Sequence, residues 1–257
     1  MAPRVLIATA AGAALLLSPG LVPLSPGLAP VAAADDPSAR ELADQAKKNL
    51  LDAESVRLKL TDRSAGTRTA KTQPVSMDLA LDRDGNCAGT MRMGAGGGSV
   101  EIVKRGAEVW MKPDTAFWKA QVPGGEGDAV AELLKNRYLH GSTRDAMLKG
   151  MADTCDLTSF QKDITADSSD AERLTKGAET KVDGTDVIPL KGTSEGKRMV
   201  LYVTSDTPHR LVRATQKGGG TDTALSFSDY GRPVPSKTPS ADESVDVNRL
   251  RDELQSA

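Results

Sequence analysis

The stretch PVSMDLALDRDGNCAGTMRMGAGGGSVEIVKRGAEVWMKPDTAFWKA, residues 74–120, decides the fold. Apolar side chains alternate with polar or small ones, so that Met77 and Leu79 share one face. Asp84-Gly85 supplies a turn, and the alternation resumes in segments that a Gly-rich bend and a second turn separate. Period-two alternation broken by turn residues predicts an antiparallel meander of four strands with one buried face.

The residues before this stretch add a helix and a strand. Ser38 and Glu41 have the spacing of a capping box, and apolar residues recur at helical intervals, which predicts a helix over about 38–51. The segment SVRLKLTD, residues 55–62, alternates cleanly and predicts a half-buried strand. Residues 63–73 are polar and aperiodic, which indicates a loop or a frayed strand.

The residues after the stretch first predict helices and then more strands. One helix is expected from Asp128 to Gly141 with Leu133 and Leu134 inward, and a second from Ser142 to Cys155 with Met147 inward. Strands at roughly ten-residue spacing and a C-terminal helix, preceded by a Ser240–Glu243 capping box, are expected to follow. The expected strand runs are Ala178–Val182, Val187–Lys191, Arg198–Val203, Leu211–Gln216 and Thr223–Ser228.

These elements together predict an α+β fold in a single domain, residues 35–257. One long, curved antiparallel sheet, a half-barrel, has its apolar concave face covered by the first helix and the central helices.

Residues 1–34 have the layout of a secretory signal peptide. A short basic start precedes 13 apolar residues (5–17), and Ala32 with Ala34 satisfies the A-x-A cleavage pattern. A membrane anchor is the alternative, but 13 residues are too few to span a bilayer. We therefore expect a secreted, extracellular or cell-wall-associated protein without a transmembrane segment.

The two cysteines, Cys87 and Cys155, favour a disulfide in an exported chain. Two buried free thiols are the alternative. Two cysteines and two scattered histidines do not form a zinc site, and no metal or cofactor is expected. The net charge of −2 and an aromatic content of 3% argue against nucleic-acid binding.

Two short patterns suggest catalysis but lack the required context. Gly192 to Gly196 matches G-x-S-x-G around Ser194, yet a nucleophile elbow needs a helix after it and a strand is expected here. His209 is expected to be an exposed turn residue, and His140 to lie at a helix end. The chain is therefore not expected to be an enzyme; a hydrolase is kept only for the weak Ser194 match.

The order of elements, with the segments VDGTDVIPLKGT, RMVLYVTSDTPHRLVRAT and LSFSDYGRPVPSKTPSADESVD, resembles the actinobacterial LppX/LprG family of exported lipid-binding lipoproteins. The resemblance covers about residues 38–247. It implies a LolA-like fold with a hydrophobic cavity between sheet and helices, and no catalytic residues. The relatives carry a lipobox cysteine where this chain has Ala34-Asp35, so no lipid anchor is expected.

The function that follows is a secreted carrier or binder of a lipid or similar apolar ligand. A cell-envelope structural or interaction domain with a closed core is the alternative, since methionines serve as core filler as well as cavity wall. The expected partners are the apolar ligand and an envelope protein that receives it, and the chain is expected to be a monomer. The predicted cavity wall comprises Leu58, Leu60, Met77, Leu79, Met91, Met93, Ile102, Met111, Leu133, Leu134 and Met147.

Overall fold

One large sheet dominates the structure, a computed structural model that describes residues 36–166 and 172–255. Within those residues, thirteen strands join a single sheet. The predicted signal peptide, residues 1–34, lies outside the described residues. The described part of Pro37–Ala257 forms one compact unit.

Most of the helices lie between two groups of strands in the chain. In order, the elements are α1 (Ala39–Leu51), β1 (Ser55–Asp62), α2 (Ala65–Thr69), β2 (Pro74–Asp82), β3 (Cys87–Met93), β4 (Ser99–Arg105), β5 (Glu108–Pro113), α3 (Thr115–Gln121), a 3₁₀ turn (Pro123–Gly125), α4 (Gly127–Leu133), β6 (Tyr138–Ser142), α5 (Ala146–Asp153), α6 (Leu157–Ala166), β7 (Glu172–Lys176), β8 (Thr180–Val182), β9 (Thr185–Ser194), β10 (Lys197–Thr204), β11 (Leu211–Gly218), β12 (Thr221–Ser228), β13 (Ser244–Asp246) and α7 (Val247–Gln255).

The strand order across the sheet is β13-β6-β5-β4-β3-β2-β1-β12-β11-β10-β9-β7, with β8 paired to β9. The recorded pairs are antiparallel except β13 with β6, which is parallel. β1 pairs with β12 in the middle of the sheet and thereby joins the N-terminal strands to the C-terminal ones. The predicted α+β architecture, one open curved sheet with helices, is confirmed.

The predicted four-strand meander is also confirmed, since β2, β3, β4 and β5 are successive neighbours in the sheet. Directly opposite residues form a row across these strands and β1. The row consists of Leu58, Leu79, Gly89, Ile102 and Met111. Four of these side chains are buried in the main core, so the row marks the face of the sheet on which the helices pack.

Gly89 is the one position in this row without a side chain. Its backbone lies so close to β2 that a Cβ atom there would be 2.0 Å from the carbonyl oxygen of Asp78. Glycine inside a strand marks such close approaches and bends. The sequence of β3 therefore contains glycine at this position for a steric reason.

Two helical covers lie on the sheet, and the first is the single helix α1. α1, capped by a Ser38–Glu41 box as predicted, buries Leu42 and Ala46 against Leu190 of β9 and Val203 of β10. The second cover consists of α3 to α7 and packs on the larger core formed by β1 to β6. The two covers lie on the same sheet face and meet at the end of α1, where Leu50 belongs to the larger core.

The predicted helix from Asp128 to Gly141 is wrong in its second half. α4 ends at Leu133, and Tyr138–Ser142 instead forms β6. β6 pairs antiparallel with β5, with Met111 opposite Leu139. This pairing satisfies backbone groups that β5 would otherwise leave unpaired at the edge of the meander.

Other segments also differ from the sequence-based expectation. The polar segment 63–73 contains the short helix α2, and α6 occupies residues for which no element was predicted. Ser240 and Glu243 do exchange capping-box hydrogen bonds, but they close a turn before β13. The predicted C-terminal helix, α7, begins after Asp246, whose carboxylate accepts hydrogen bonds from the amides of Asn248 and Arg249 in its first turn.

The close approach at Gly89 leads to a prediction. Gly89→Ala would force a Cβ atom against the Asp78 carbonyl, so β2 must shift, and we expect the free energy of unfolding to fall by about 2–4 kcal/mol. Urea denaturation measures the effect. Gly150→Ala is the control, because open space surrounds Gly150 in α5 and alanine there raises helix propensity. Equal stability of the two variants would contradict the steric argument.

Candidate functional site

Most of the predicted wall residues are buried beneath the helices. They belong to one apolar core with Phe117 and Trp118 of α3 and Leu148 of α5. Their side chains therefore contact protein rather than an open space. The wall residues in this core are Leu58, Leu79, Met91, Met93, Ile102, Met111 and Leu134.

Leu133 and Met147 do not face the sheet, which corrects the prediction. Leu133 is 58% exposed and Met147 55% exposed. The inward residues of α4 are Ala131 and the following Leu134, and Leu148 is an inward residue of α5. Neighbouring positions of a helix point about 100° apart, so a residue next to a buried one easily faces solvent.

Leu60 and Met77, the two remaining wall residues, are only partly buried and belong to a row of five such residues. Leu225 pairs with Leu60, Leu60 with Met77, Ala214 with Leu225, and Leu201 with Ala214. All five have intermediate exposure. We call this row the apolar strip: Leu201, Ala214, Leu225, Leu60 and Met77. Four interstrand spacings make it about 19 Å long.

The apolar strip lies on the helix-covered face, because Leu60 is two residues from the buried Leu58. The row continues at both ends into fully covered residues, Leu190 beside Leu201 and Met91 beside Met77. Leu190 is covered by α1, and Met91 belongs to the main core. The strip is therefore where the two helical covers leave the sheet incompletely sealed.

A polar row borders the strip on the same face. Gln216 pairs with Thr223, and Thr223 with Asp62, which ends β1. The Asp62 carboxylate accepts hydrogen bonds of 2.8 Å from the Ser64 amide and from the Thr67 hydroxyl. Burial alone raises the pKa of Asp62, and these hydrogen bonds outweigh it, so the pKa lies below its usual value. The sheet face thus changes from apolar side chains in the strip to polar side chains in the next row.

A disulfide bond between Cys87 and Cys155 fixes part of the second cover. Both cysteines are fully buried, and the bond ties β3 to the turn between α5 and α6. Farther along α6, the side-chain amide of Gln161 donates to the carbonyl oxygens of Leu50 and Ala53, each at 3.0 Å. α6 is thereby attached to the sheet at its start and to the end of α1 along its length.

The described residues line three surface cavities with volumes of about 740, 380 and 240 Å³. The 740 Å³ cavity lies at the β7 edge of the sheet and is lined by Arg173, Thr175, Lys191, Gly192 and Thr193. None of the three is lined by a residue of the predicted wall.

The residues that suggested catalysis have structural surroundings. Ser194 ends β9, and β10 follows from Lys197, which is the strand context expected. His209 is not exposed as predicted: it is 7% exposed, with its Nδ1 2.9 Å from the Thr204 carbonyl oxygen. His140 lies in β6 rather than at a helix end, and its ring stacks on Trp110.

Within residues 36–166 and 172–255, no three His, Cys, Asp or Glu side chains are grouped so that they could hold a metal ion. In the same part of the chain, no helix has the length and apolar character needed to cross a membrane.

Comparison with known proteins identifies the fold. No protein-family model matches the sequence, and neither does any curated protein. Among solved structures, LprF from Mycobacterium bovis superposes with a TM-score of 0.52 at 14% identity, over 79% of this chain and 97% of LprF. Lipoprotein LppX from Mycobacterium tuberculosis gives 0.47 at 14% identity, over 77% of this chain and 98% of LppX. A LolA superfamily protein from Nitrosomonas europaea gives 0.24 at 11%, over 80% of this chain and 99% of that protein.

The chain therefore shares the fold of LprF. The fold that the sequence resemblance implies agrees with this likeness.

Removal of the disulfide should test how firmly the second cover is held. The bond closes a segment with a sequence separation of 68, so the Cys87→Ser, Cys155→Ser double variant should lose about 4 kcal/mol of unfolding free energy. Urea denaturation with and without dithiothreitol measures this. Reductant should lower the stability of the natural protein to that of the variant; a natural protein insensitive to reductant even after unfolding would contradict the expectation.

Proposed function

We propose that this protein binds and carries a lipid or another apolar molecule, with the hydrocarbon part lying along the apolar strip. One observation carries the proposal: the five neighbouring apolar side chains of the strip are only partly covered. The residues of the same sheet face at both ends of the strip are fully buried. Contiguous apolar surface that remains partly exposed is typical of ligand-binding grooves. The fold shared with LprF supports the carrier role that the family resemblance implies.

The driving force would be removal of apolar surface from water. Each methylene sequestered contributes about 0.8 kcal/mol, so a chain that covers the strip gains affinity in proportion to its length. Met77 at one end of the strip has a flexible thioether, which suits variable hydrocarbon shapes. Leu60 lies between Leu225 and Met77 in the row, so a chain that lies along the strip would contact it.

The buried wall residues form a deeper part of the proposed site. Leu79 and Met91 lie beside Met77 on the same face, under the second cover. A ligand larger than the strip would reach them if a helix of the second cover, such as α6, moved away from the sheet. The disulfide at the start of α6 and the Gln161 hydrogen bonds would then limit how far this helix moves.

The proposal includes secretion and delivery within the cell envelope. A buried disulfide is typical of oxidising compartments outside the cytosol. The predicted signal peptide, residues 1–34, agrees with this location. A receiving envelope protein and a monomeric carrier complete the proposal.

A second candidate function is a closed cell-envelope domain that acts through its surface. The observation in its favour is the dense packing of seven predicted wall residues against the helices. In that case the strip would be a shallow surface feature without a ligand.

One experiment distinguishes the two candidates. Protein purified from its own host is analysed by native mass spectrometry and organic extraction, and lipid-free protein is then titrated with palmitoyl lysolipids. We expect a co-purified apolar molecule and measurable binding, both lost in Leu60→Lys, because a charge within the strip opposes hydrocarbon contact.

The matched control is Thr90→Lys, which places the same charge on the exposed opposite face of the sheet. It should keep both the co-purified molecule and the binding. Lipid-free natural protein that binds no lysolipid would favour the closed domain.

A further inference from the structure

The loop that connects β1 to β2, residues 63–73, carries a concentrated positive charge beside the apolar strip. Its cations are Arg63, Arg68 and Lys71, and it contains no Asp or Glu. All three side chains are exposed, and in the described part of the chain none of them forms an ion pair. We call this segment the cationic loop.

The cationic loop joins the ends of β1 and β2 that are nearer to the strip. Leu60 is three residues before Arg63, a distance of about 10 Å along an extended chain. The amide of Arg63 donates to the carbonyl oxygen of Asp222 in the β11–β12 hairpin, so the loop also adjoins the strand that carries Leu225.

Two lysines in the neighbouring hairpins at this end of the sheet are already paired with acids. Lys197 pairs with Glu195 at 3.3 Å, and Lys217 with Asp222 at 3.4 Å. Asp62, the acid that borders the loop, has a carboxylate engaged by Ser64 and Thr67. Three positive charges against this single negative charge leave the loop with an excess of two.

Hydrogen bonds hold the backbone of the loop in place, whereas the charged groups of its side chains form no ion pair with a described residue. The Arg68 carbonyl oxygen accepts from the Ala95 amide, and the Lys71 carbonyl oxygen accepts from the Gln121 side chain. A Cβ atom on Gly97 would lie 2.2 Å from the same Lys71 oxygen, so the Gly-rich bend is the surface on which the loop packs. This support positions the cations and reduces the conformational entropy that binding would cost.

We propose that the ligand is an anionic amphiphile, whose phosphate or carboxylate head contacts the cationic loop while its hydrocarbon chain lies on the apolar strip. This inference rests on the proposed lipid-binding function and adds the chemistry of the headgroup. The polar row of Gln216, Thr223 and Asp62 lies between the two parts, where such a molecule changes from apolar to polar.

Binding of two lysolipids with the same palmitoyl chain tests the proposal. Lysophosphatidylglycerol and lysophosphatidylcholine are titrated below their micelle concentrations into lipid-free protein by calorimetry. We expect about tenfold tighter binding of the anionic lipid, the effect of three weak, solvent-exposed charge contacts. The preference should shrink in 0.5 M salt, where screening shortens the range of these charges to roughly 4 Å.

The triple variant Arg63→Gln, Arg68→Gln, Lys71→Gln should bind both lysolipids nearly equally. A control variant with the same charge change, Arg144→Gln, Lys149→Gln, Arg232→Gln, lies near the opposite ends of the strands and should keep the preference. Circular dichroism and urea denaturation check that both variants remain folded.

The binding results distinguish a failure of the headgroup proposal from a failure of the carrier function. Equal binding of the two lysolipids to the natural protein overturns the headgroup proposal and leaves the carrier function standing, whereas binding of neither overturns both. Glycerol phosphate that binds as tightly as the lysolipid would indicate a free-anion site instead. Adhesion to phosphatidylglycerol vesicles without binding of the monomeric lipid would indicate a membrane-surface contact, and it too overturns the proposal.

Discussion

The pairing of β1 with β12 is the interaction on which the rest of the structure depends. It joins strands from opposite ends of the chain, and Leu58 opposite Phe227 and Leu60 opposite Leu225 contribute apolar contacts to it. Closing so long a loop costs entropy, which the ladder hydrogen bonds and these contacts must offset. Without this pairing, β1 and β12 would each present an open edge, and two smaller sheets would replace the single large one.

The candidate site follows from that pairing. α1 covers the C-terminal strands through Leu42 and Ala46, whereas α3 to α7 cover the N-terminal strands. The boundary between the two covers falls near the β1–β12 ladder, and the apolar strip crosses the same ladder. The position of the site is therefore a consequence of how two separately covered halves meet, and it needs no enclosed cavity in the middle of either half.

The strands could be predicted from the sequence because alternation is local, and β1 to β5 and β8 to β12 were found that way. Tyr138–Ser142 was assigned to a helix because five residues carry too little periodicity to separate strand from helix, and pairing with β5 decides the outcome. Leu60 and Met77 were placed in the site from their apolar positions. Leu201, Ala214 and Leu225 were missed, although their strands were predicted, because only the pairing registers from β10 to β1 place them in one row with Leu60.

The charge of the cationic loop and the exposure of the strip arise from independent features. The strip is exposed because of how helices cover the sheet, while the charge is a local property of residues 63–73. Apolar contact with the strip would favour any hydrocarbon chain about equally, since it depends on area alone. Selectivity is a difference between affinities, so it must come from groups outside the strip. The side chains of Arg63, Arg68 and Lys71 are charged groups beside the strip that are not already paired, and they are therefore the residues through which this fold would distinguish one amphiphile from another.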